Sequence, residues 1–182
     1  DLVKEGLLVK KQGKGTFVSM PKIKRELISV NSFSNRMLKA GLAPSSRVMN
    51  IKLTDPSSTI RKYLEIESTD QVIAIERLRL ADEEPVMIER TFISYKDYPL
   101  VLEADISIGS LYKFFEEKYN MIPTKSHRSL EIVLSDKYEA DLLNVRVGQP
   151  LFLLSAIVKS QDNKPTEYVS TLIRGDRFKF EI

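Results

Sequence analysis

The stretch QVIAIERLRLADEEPVMIERTFIS, from Gln71 to Ser94, contains two strand-like runs separated by the polar segment ADEE. Both runs hold several β-branched residues, and the short acidic segment between them is typical of a turn. The stretch therefore predicts an antiparallel β-hairpin. A second pair of such runs, PLFLLSAIVKS and TEYVSTLIRG around QDNK, predicts another hairpin near the end of the sequence.

Both hairpins belong to a longer repeat with an offset of about 80 residues. A strand-like run and a helical pattern precede each hairpin: SRVMNIKL and TDPSSTIRKYLEI in the first copy, SLEIVLSD and KYEADLLNV in the second. In the first helix Asp55 is the expected N-cap and Pro56 the first helical residue. The repeat predicts a duplicated strand–helix–hairpin unit whose hairpins share one antiparallel sheet. The predicted fold class is α+β, with helices packed against that sheet.

Two further helices are predicted outside the repeated units. In SFSNRMLKAG, either Ser32 or Ser34 can cap a short helix and Gly41 can end it. The second helix is SIGSLYKFFEEKYNMIP, between the two units. Its apolar residues recur at helical spacing, namely Leu111, Phe114, Phe115 and Tyr119.

The start of the sequence is basic. Residues 1–25 carry seven Lys or Arg against two acidic residues, a net charge of +5, whereas the other 157 residues carry −2. This asymmetry indicates a polyanion partner for that end, although a solvated lysine-rich terminus has the same composition. LLVKK and TFVS, joined by QGKG, predict a hairpin in which Gly13 and Gly15 adopt positive φ angles and Lys14 lies at the tip. MPKIKREL then predicts a linker.

The stretch LVKEGLLVKKQGKGTFVS resembles the recognition-helix end and the wing of winged helix-turn-helix repressors of the GntR family. The resemblance implies that Lys11, Lys14 and Gly15 contact operator DNA in the full-length protein, and that this protein is a homodimer. We also expect most of the DNA-binding domain to precede this sequence, so that the chain alone binds operator DNA poorly. Residues 1–20 are then a remnant of that domain, 21–29 a linker, and 30–182 a second domain.

The second domain resembles the UTRA effector-binding domain of the HutC branch of that family, which has a chorismate lyase-like fold. The segments RLRLADEEPVMIER, GSLYKFFEEKYNMIP and YVSTLIRGDRFKFEI carry this resemblance, in that order. It implies a ligand-responsive transcriptional regulator, and we expect a repressor. Its effector is expected to be a small phosphorylated metabolite such as a sugar phosphate. Two alternatives stay open on the same fold: a chorismate lyase-like enzyme and a plain dimerisation module.

Arg77 and Arg79 stand two residues apart in a predicted strand and therefore point to one face of the sheet. Their forked donors suit a phosphate or a carboxylate, whereas on a solvent-facing strand they would form ordinary salt bridges. A three-residue loop of Asp82 to Glu84 would pair Arg77 with Glu89, and a four-residue loop would turn Glu89 to the opposite face. Both loops fit the residues, and the resemblance favours the first.

The resemblance implies an effector pocket that several segments line: Ser32, Phe33, Ser34, Arg77, Arg79, Glu89, Ser110, Tyr112 and Glu167. Backbone amides of residues 32–34 would bind the phosphate, because amides at a helix start are unpaired donors. Taken without the resemblance, Ser110 is equally well explained as a helix cap and Tyr112 as a half-buried helix residue.

The segment IRGDR, Ile173 to Arg177, carries two further expectations. Arg174 is expected to brace the sheet through Asp176 rather than to contact the ligand. Ile173 stands where repressors of N-acetylglucosamine use often carry a tyrosine. Its lack of a hydroxyl argues for a different effector, such as another sugar phosphate or a phosphorylated sugar–amine conjugate.

Composition excludes several other classes of protein. The chain has 182 residues, 42% of them hydrophobic and 29% charged, as in globular proteins. It has no cysteine and one histidine, His127, which excludes thiolate and multi-histidine metal sites. No apolar run has the length of a membrane span, and no signal peptide is visible, so the sequence predicts a cytoplasmic protein without a membrane partner. In the absence of a nucleophile–base pair or a dinucleotide fingerprint, we expect neither an enzyme nor a cofactor.

Overall fold

The computed structural model describes residues 2–3, 8–11, 13, 15–18, 22–26, 31–106 and 110–181. The strands are β1 (Leu8–Lys11), β2 (Gly15–Val18), β3 (Ile23–Glu26), β4 (Pro44–Thr54), β5 (Val72–Ala81), β6 (Glu84–Ser94), β7 (Pro123–Leu134), β8 (Pro150–Ser160), β9 (Pro165–Arg174) and β10 (Phe178–Glu181). The α-helices are α1 (Phe33–Lys39), α2 (Ser58–Leu64), α3 (Leu111–Tyr119) and α4 (Lys137–Leu143), and a short 3-10 helix spans Pro99–Glu103.

Six strands form one antiparallel sheet in the order β4-β5-β6-β9-β8-β7. The two predicted hairpins, β5–β6 and β8–β9, lie at its centre, where β6 pairs with β9. Each hairpin is flanked on its outer side by the strand that begins its own repeat, β4 or β7. The predicted duplication and the predicted α+β fold class are therefore confirmed.

The turn of the first hairpin is shorter than predicted. Ala81 pairs with Glu84, so only Asp82 and Glu83 form the loop, with φ angles of 49° and 62°. Two consecutive residues with positive φ form a type I′ turn, whose twist matches that of the flanking strands. The prediction of a three-residue loop is wrong.

A β-bulge restores the predicted pairing beyond this turn. The register shifts by one residue between Arg79 and Leu80, and Arg77 consequently lies opposite Glu89. One extra residue on the partner strand has the same effect on register as one extra residue in the loop. The predicted pairing of Arg77 with Glu89 is therefore confirmed, although a bulge rather than the loop produces it.

Short polar residues determine where the helices begin. Ser32 caps α1 by accepting a hydrogen bond from the Asn35 amide, as predicted. Ser57 rather than Asp55 caps α2, and Asp55 instead accepts a hydrogen bond from Gln71 Nε2 at 3.2 Å. The longest α-helix, α3, has nine residues. No helix in the described part of the chain has the length and apolar character needed to cross a bilayer.

The helices of the two repeats cover one face of the sheet. Leu143 of α4 packs in an apolar cluster with Leu78 and Leu172, from the centre of the sheet. In α2, the ring of Tyr63 lies 5.1 Å from that of Tyr168 on β9. Apolar residues of each helix therefore face the sheet.

The helices outside the repeats cover the opposite face, in two separate clusters. Met37 of α1 packs in one cluster with Met87, and Phe115 of α3 packs in another with Ile75. Arg77 and Arg79 point to this face, between the two clusters along β5. The same surface that packs apolar side chains at both ends therefore carries charge in its middle.

The basic segment at the start of the chain forms the predicted hairpin. β1 pairs with β2, with Lys11 opposite Gly15, and the φ angles of Gly13 and Gly15 are 73° and 108°. These left-handed conformations favour glycine because it has no Cβ atom. Of the residues predicted to contact DNA, Lys11 and Gly15 lie at the turn end of this hairpin. Lys14 lies outside the described residues.

Part of the predicted linker forms a strand. β3 pairs in parallel with β10, with Ile23 opposite Phe178 and Arg25 opposite Phe180. Ile23 is buried in the same apolar cluster as Phe178. The sequence MPKIKREL lacked a strand signal because its partner strand lies at the other end of the chain, so neither a turn nor a neighbouring run marks the pairing.

Candidate functional site

A cavity of about 60 Å³ lies on the face of the sheet that α1 and α3 cover. It is larger than the roughly 10–15 Å³ that a single water needs. Ser34, in α1, is not part of its lining. The other eight residues predicted to bind the effector all line it: Ser32, Phe33, Arg77, Arg79, Glu89, Ser110, Tyr112 and Glu167.

Two buried arginines share one carboxylate at the floor of the cavity. Arg77 Nη2 lies 2.5 Å and Arg79 Nη2 lies 2.7 Å from the same oxygen, Glu89 Oε1. Arg79 Nη1 also donates to Ser46 Oγ at 2.7 Å. Burial alone would raise the pKa of Glu89, but the two guanidinium groups outweigh it and lower the pKa to about 2. Glu89 is therefore ionised at neutral pH, and the three groups together carry one net positive charge.

Several donors of the arginine pair remain unused. Among the described residues, Arg77 Nε, Arg77 Nη1 and Arg79 Nε have no hydrogen-bond partner, although these atoms are buried. Leaving a buried donor unsatisfied costs about 1–3 kcal/mol, and more for a charged group. Arg77 and Arg79 are only 2% and 4% exposed, so bulk water does not replace the missing acceptors. The arrangement favours an additional acceptor, and an anion best of all.

A second carboxylate lies in the cavity in a different environment. Glu167 is buried and accepts a hydrogen bond from the Tyr112 hydroxyl, while its Oε1 has no partner within the described part of the chain. Burial and the nearby Glu89 raise the pKa of Glu167 to about 7, against the opposing effect of the Tyr112 hydrogen bond. Burial and Glu167 also raise the pKa of Tyr112 well above 10, so the tyrosine stays protonated. This pair can accept a hydrogen bond from a ligand hydroxyl or ammonium group.

Three arginines that the sequence did not single out also line the cavity: Arg25, Arg36 and Arg128. They come from β3, α1 and β7, three elements that are distant in sequence, so only the fold brings them together. Burial lowers the pKa of each. Arg36 and Arg128 lower the pKa of Arg25 further, and Arg128 lowers the pKa of Arg36 further. The lining thus holds five arginines against two glutamates. Of the three, only Arg128 could have been assigned to the cavity from strand periodicity. It lies opposite Ala156, which is also in the lining, so both side chains point to the same face of the sheet.

The UTRA domain model matches residues 39–179. The chain belongs to the UTRA domain family. The "HTH-type transcriptional repressor NagR" of Bacillus subtilis is 32% identical over 181 residues, which cover 99% of this chain and 74% of NagR. A protein of Escherichia coli K12 named "Probable fructoselysine utilization operon transcriptional repressor" is 28% identical over 182 residues, which cover 100% of this chain and 74% of that protein. The crystal structure of PhnF from Mycobacterium smegmatis superimposes with a TM-score of 0.86 at 26% identity, over 99% of this chain and 79% of PhnF.

These similarities confirm the predicted family, the GntR regulators of the HutC branch that carry a UTRA domain. The relatives are named as transcriptional regulators and not as enzymes. The matched part of each relative includes the stretch that aligns with the β1–β2 hairpin, because the alignments cover nearly all of this chain. The coarse function that follows is that of a ligand-responsive transcriptional regulator.

Two residues at the end of β9 lie outside the cavity of this UTRA domain. Arg174 Nη2 donates to Asp176 Oδ2 at 2.7 Å, and Arg174 Nη1 pairs with Glu84 at 2.9 Å, so Arg174 braces the sheet as predicted. Ile173 is completely buried in the apolar cluster that contains Met87. Ile173 is not itself part of the lining, but it lies opposite the lining residue Met87 in the sheet. The expectation that this position bears on the identity of the effector stays a prediction.

Proposed function

We propose that this UTRA domain binds a small phosphorylated metabolite, such as a sugar phosphate, and thereby modulates operator DNA binding by a full-length repressor. The single observation that carries the proposal is the excess of arginine in the cavity, five guanidinium groups against two carboxylates, with buried N–H groups of Arg77 and Arg79 still lacking an acceptor. A phosphate offers more acceptor oxygens than a carboxylate, and the forked arginine donors match its geometry.

A second group of polar residues in the lining supports a polar body attached to the phosphate. Glu167 Oε1 is an unused acceptor, and Ser110 and Tyr112 bring hydroxyl groups to the same lining. A sugar provides several hydroxyl donors for these residues, and an amine would pair with Glu167. The relative named for fructoselysine utilization supports a sugar–amine conjugate as one member of this class. Ser32 and Phe33, at the start of α1, are proposed to complete the phosphate site with Ser34 beside them.

The DNA-reading role is proposed for the start of the chain. In the full-length protein, residues 1–20 would form the end of the DNA-binding domain, with Lys11, Lys14 and Gly15 of the hairpin against the operator backbone. Residues 21–29 would connect it to the effector domain, residues 30–182. We propose a homodimer, because a two-fold protein matches a palindromic operator.

The effector can act only through unequal affinity for two arrangements of the protein. A ligand that binds the DNA-competent and DNA-incompetent states equally shifts nothing. Typical couplings of about 1–3 kcal/mol change the affinity for the second ligand by roughly 5- to 150-fold. Operator binding by the full-length repressor is therefore expected to change within this range when the effector saturates the cavity.

Calorimetry and thermal shifts with glucose 6-phosphate and related sugar phosphates test the proposal. We expect binding by the wild-type chain, a weaker response to the unphosphorylated sugars, and recovery of the ligand unchanged. Arg77→Ala removes one or two charge-assisted hydrogen bonds, each about 1.5–3 kcal/mol, and should weaken binding by about 10-fold or more. Arg90→Ala is the matched control, since Arg90 follows Glu89 on β6 but points to the other face and pairs with Glu76. Equal responses to phosphorylated and plain sugars, or unchanged affinity in Arg77→Ala, would refute the proposed site.

A further inference from the structure

The strand β3 connects two parts of the chain that the proposed function must couple. It follows the β1–β2 hairpin and precedes α1 in the sequence. Its only strand partner among the described elements is β10, in a two-stranded parallel sheet separate from the six-stranded one. The pairing covers four residues, from Ile23 opposite Phe178 to Glu26 opposite Glu181. Such a short pair is not stable by itself and depends on what its side chains contact.

The two inward residues of β3 have different environments. Ile23 and Arg25 are two apart and so share one face of the strand, while Lys22, Lys24 and Glu26 are exposed. Ile23 is buried in the apolar cluster with Phe178, which fixes the first half of the strand. Arg25 lines the cavity, and its guanidinium lies 5.8 Å from the centre of the Phe180 ring. The second half of β3 is therefore attached to the domain through a cation that faces the ligand cavity.

The charges around Arg25 oppose that attachment when the cavity holds no anion. Burial, followed by Arg36 and then Arg128, lowers the pKa of Arg25, and Glu89 and Tyr112 oppose this only in part. Arg36 belongs to α1 and Arg128 to β7, so three cations from three elements line the same cavity and repel one another. Glu89 is already engaged by Arg77 and Arg79 through its Oε1. An anion between these guanidinium groups would turn the repulsion into attraction.

We propose that Arg25 binds the anionic group of the effector and thereby couples occupancy of the cavity to the docking of β3, the strand that leads from the hairpin into the domain. This inference rests on the proposed function, since it requires an anionic effector, but it assigns a residue and a strand that the family resemblance did not. With the anion bound, Arg25 and Arg36 are bridged and β3 is held against β10. Without it, cation repulsion favours release of β3 and hence a different position of the hairpin.

Hydrogen exchange on the intact chain measures this coupling directly. The probes are inorganic phosphate and glucose 6-phosphate, at concentrations that saturate the thermal shift. In the wild-type chain we expect either probe to slow exchange of the amides in the second half of β3 by at least about 10-fold. The Ile23 amide, which donates to the Arg177 carbonyl at 2.8 Å, lies in the half that the apolar cluster fixes and serves as the internal reference. In Arg25→Gln the affinity should fall by about 10-fold, while Arg77 and Arg79 still support binding at higher ligand concentration. At saturation of that variant, the β3 amides should exchange as fast as without ligand.

Lys24→Gln is the matched control, because Lys24 is the next residue on the strand, 72% exposed, and paired with Glu181 at 3.4 Å. It removes the same charge from the outer face and should leave both the affinity and the protection of β3 unchanged. Arg25→Lys keeps the positive charge but lacks the forked guanidinium donors, and it should retain part of the protection of β3. This variant therefore distinguishes the loss of the contact with the anion from a failure of β3 to form. Binding without protection of β3 in the wild-type chain, or full protection in Arg25→Gln, overturns the coupling and leaves the proposed function intact. Failure of the wild-type chain to bind either probe overturns both.

Discussion

The two repeats, Pro44–Ser94 and Pro123–Arg174, build the same structure but make different use of one surface. Each has a long strand, a seven-residue helix and a hairpin, and the hairpins lie side by side in the sheet. Equivalent positions of both repeats line the same cavity. The first repeat carries charge where the second is apolar, as the pairs Arg77 and Ala156, Arg79 and Val158, and Glu89 and Val169 show.

This difference between the repeats indicates which side chains in the cavity lining the fold requires. Ala156, Val158 and Val169 demonstrate that apolar side chains at these positions are compatible with the sheet. Buried ion pairs are no more stabilising than well-packed apolar residues, because removing charges from water is costly. The charges of the first repeat are therefore best explained by a ligand and not by the fold. Two positions show the reverse. Glu167 of the second repeat corresponds to the apolar Met87, and Arg128, which pairs with Ala156, corresponds to Val48, which pairs with Arg77.

The largest loss of stability is expected when Glu89, the carboxylate that pairs with both arginines of the first repeat, is neutralised. Glu89→Gln keeps the volume but leaves Arg77 and Arg79 buried side by side without their shared carboxylate. Breaking a buried ion pair typically costs about 3–5 kcal/mol. We expect a loss of this size in the free energy of unfolding, measured with urea at pH 7. Because the pKa of Glu89 is lowered from 4.5 to about 2, its contribution is present above about pH 4.5 and is lost as the pH falls towards 2.

Glu76→Gln provides the comparison for this variant. Glu76 is the neighbour of Arg77 on β5 and pairs with Arg90, but their side chains are 19% and 35% exposed and lie on the other face. Pairs in which one partner stays accessible to solvent contribute about 0–1 kcal/mol, so this variant should lose much less stability than Glu89→Gln. Added phosphate should also recover part of the stability lost in Glu89→Gln, since it replaces the missing anion. A Glu89→Gln protein as stable as Glu76→Gln would contradict the assignment of the buried pair.

The next effect contrasts the carboxylates of the two repeats. The pKa of Glu167 is raised from 4.5 to about 7, so the folded chain keeps its proton while the unfolded chain has lost it. Stability linked to Glu167 is therefore full below about pH 4.5 and decreases as the pH rises towards 7, the opposite of Glu89. Since a tenfold change in proton affinity corresponds to about 1.4 kcal/mol, this rise in pKa corresponds to about 3 kcal/mol. Glu167→Gln, which is always neutral, should gain up to this amount relative to the wild type between pH 4.5 and 8.

Urea unfolding at pH 3, pH 5 and pH 8 measures this contrast. The difference in stability between Glu167→Gln and the wild type should increase with pH, while the difference for Glu89→Gln should decrease as the pH falls below 4.5. If the stability differences of the two variants depended on pH in the same way, the pKa values of Glu89 and Glu167 would not be shifted in opposite directions as described.

Repetition explains why the fold was predictable from the sequence and the site only partly so. The recurring strand–helix–hairpin pattern predicted the central sheet, since each copy confirms the other. The pairing of Arg77 with Glu89 was predicted through a loop of the wrong length, because a bulge shifts register without leaving a sequence signal. Arg25 and Arg36 were missed because β3 and α1 lie outside the repeats, and only tertiary packing brings them to the cavity. Glu167 was identified through family resemblance alone, since no charge pattern surrounds it on β9.

The smallest effect concerns the ends of the two equivalent helices. α2 ends at Glu65 and α4 at Asn144, both in the left-handed conformation, with φ angles of 55° and 53°. This conformation costs residues with a Cβ atom about 1–2 kcal/mol, and asparagine is among the few that tolerate it. Glu65→Asn transfers the cap of the second repeat to the first. It should stabilise the chain by about 0.5–1 kcal/mol in urea unfolding, because only the ion pair of Glu65 with Lys159, 3.8 Å apart and largely exposed on the glutamate side, is lost.

The reciprocal variant, Asn144→Glu, makes this test symmetrical. It should destabilise the chain by a similar amount, about 0.5–1 kcal/mol, roughly the cost of a longer side chain in the left-handed region. The double variant should then have about the stability of the wild type, since the two helix ends belong to different repeats and effects at independent sites add within about 0.5 kcal/mol. If both single variants lose stability, Glu65 contributes more through Lys159 than its exposure implies, and the two repeats differ in how they end their helices as well as in how they line the cavity.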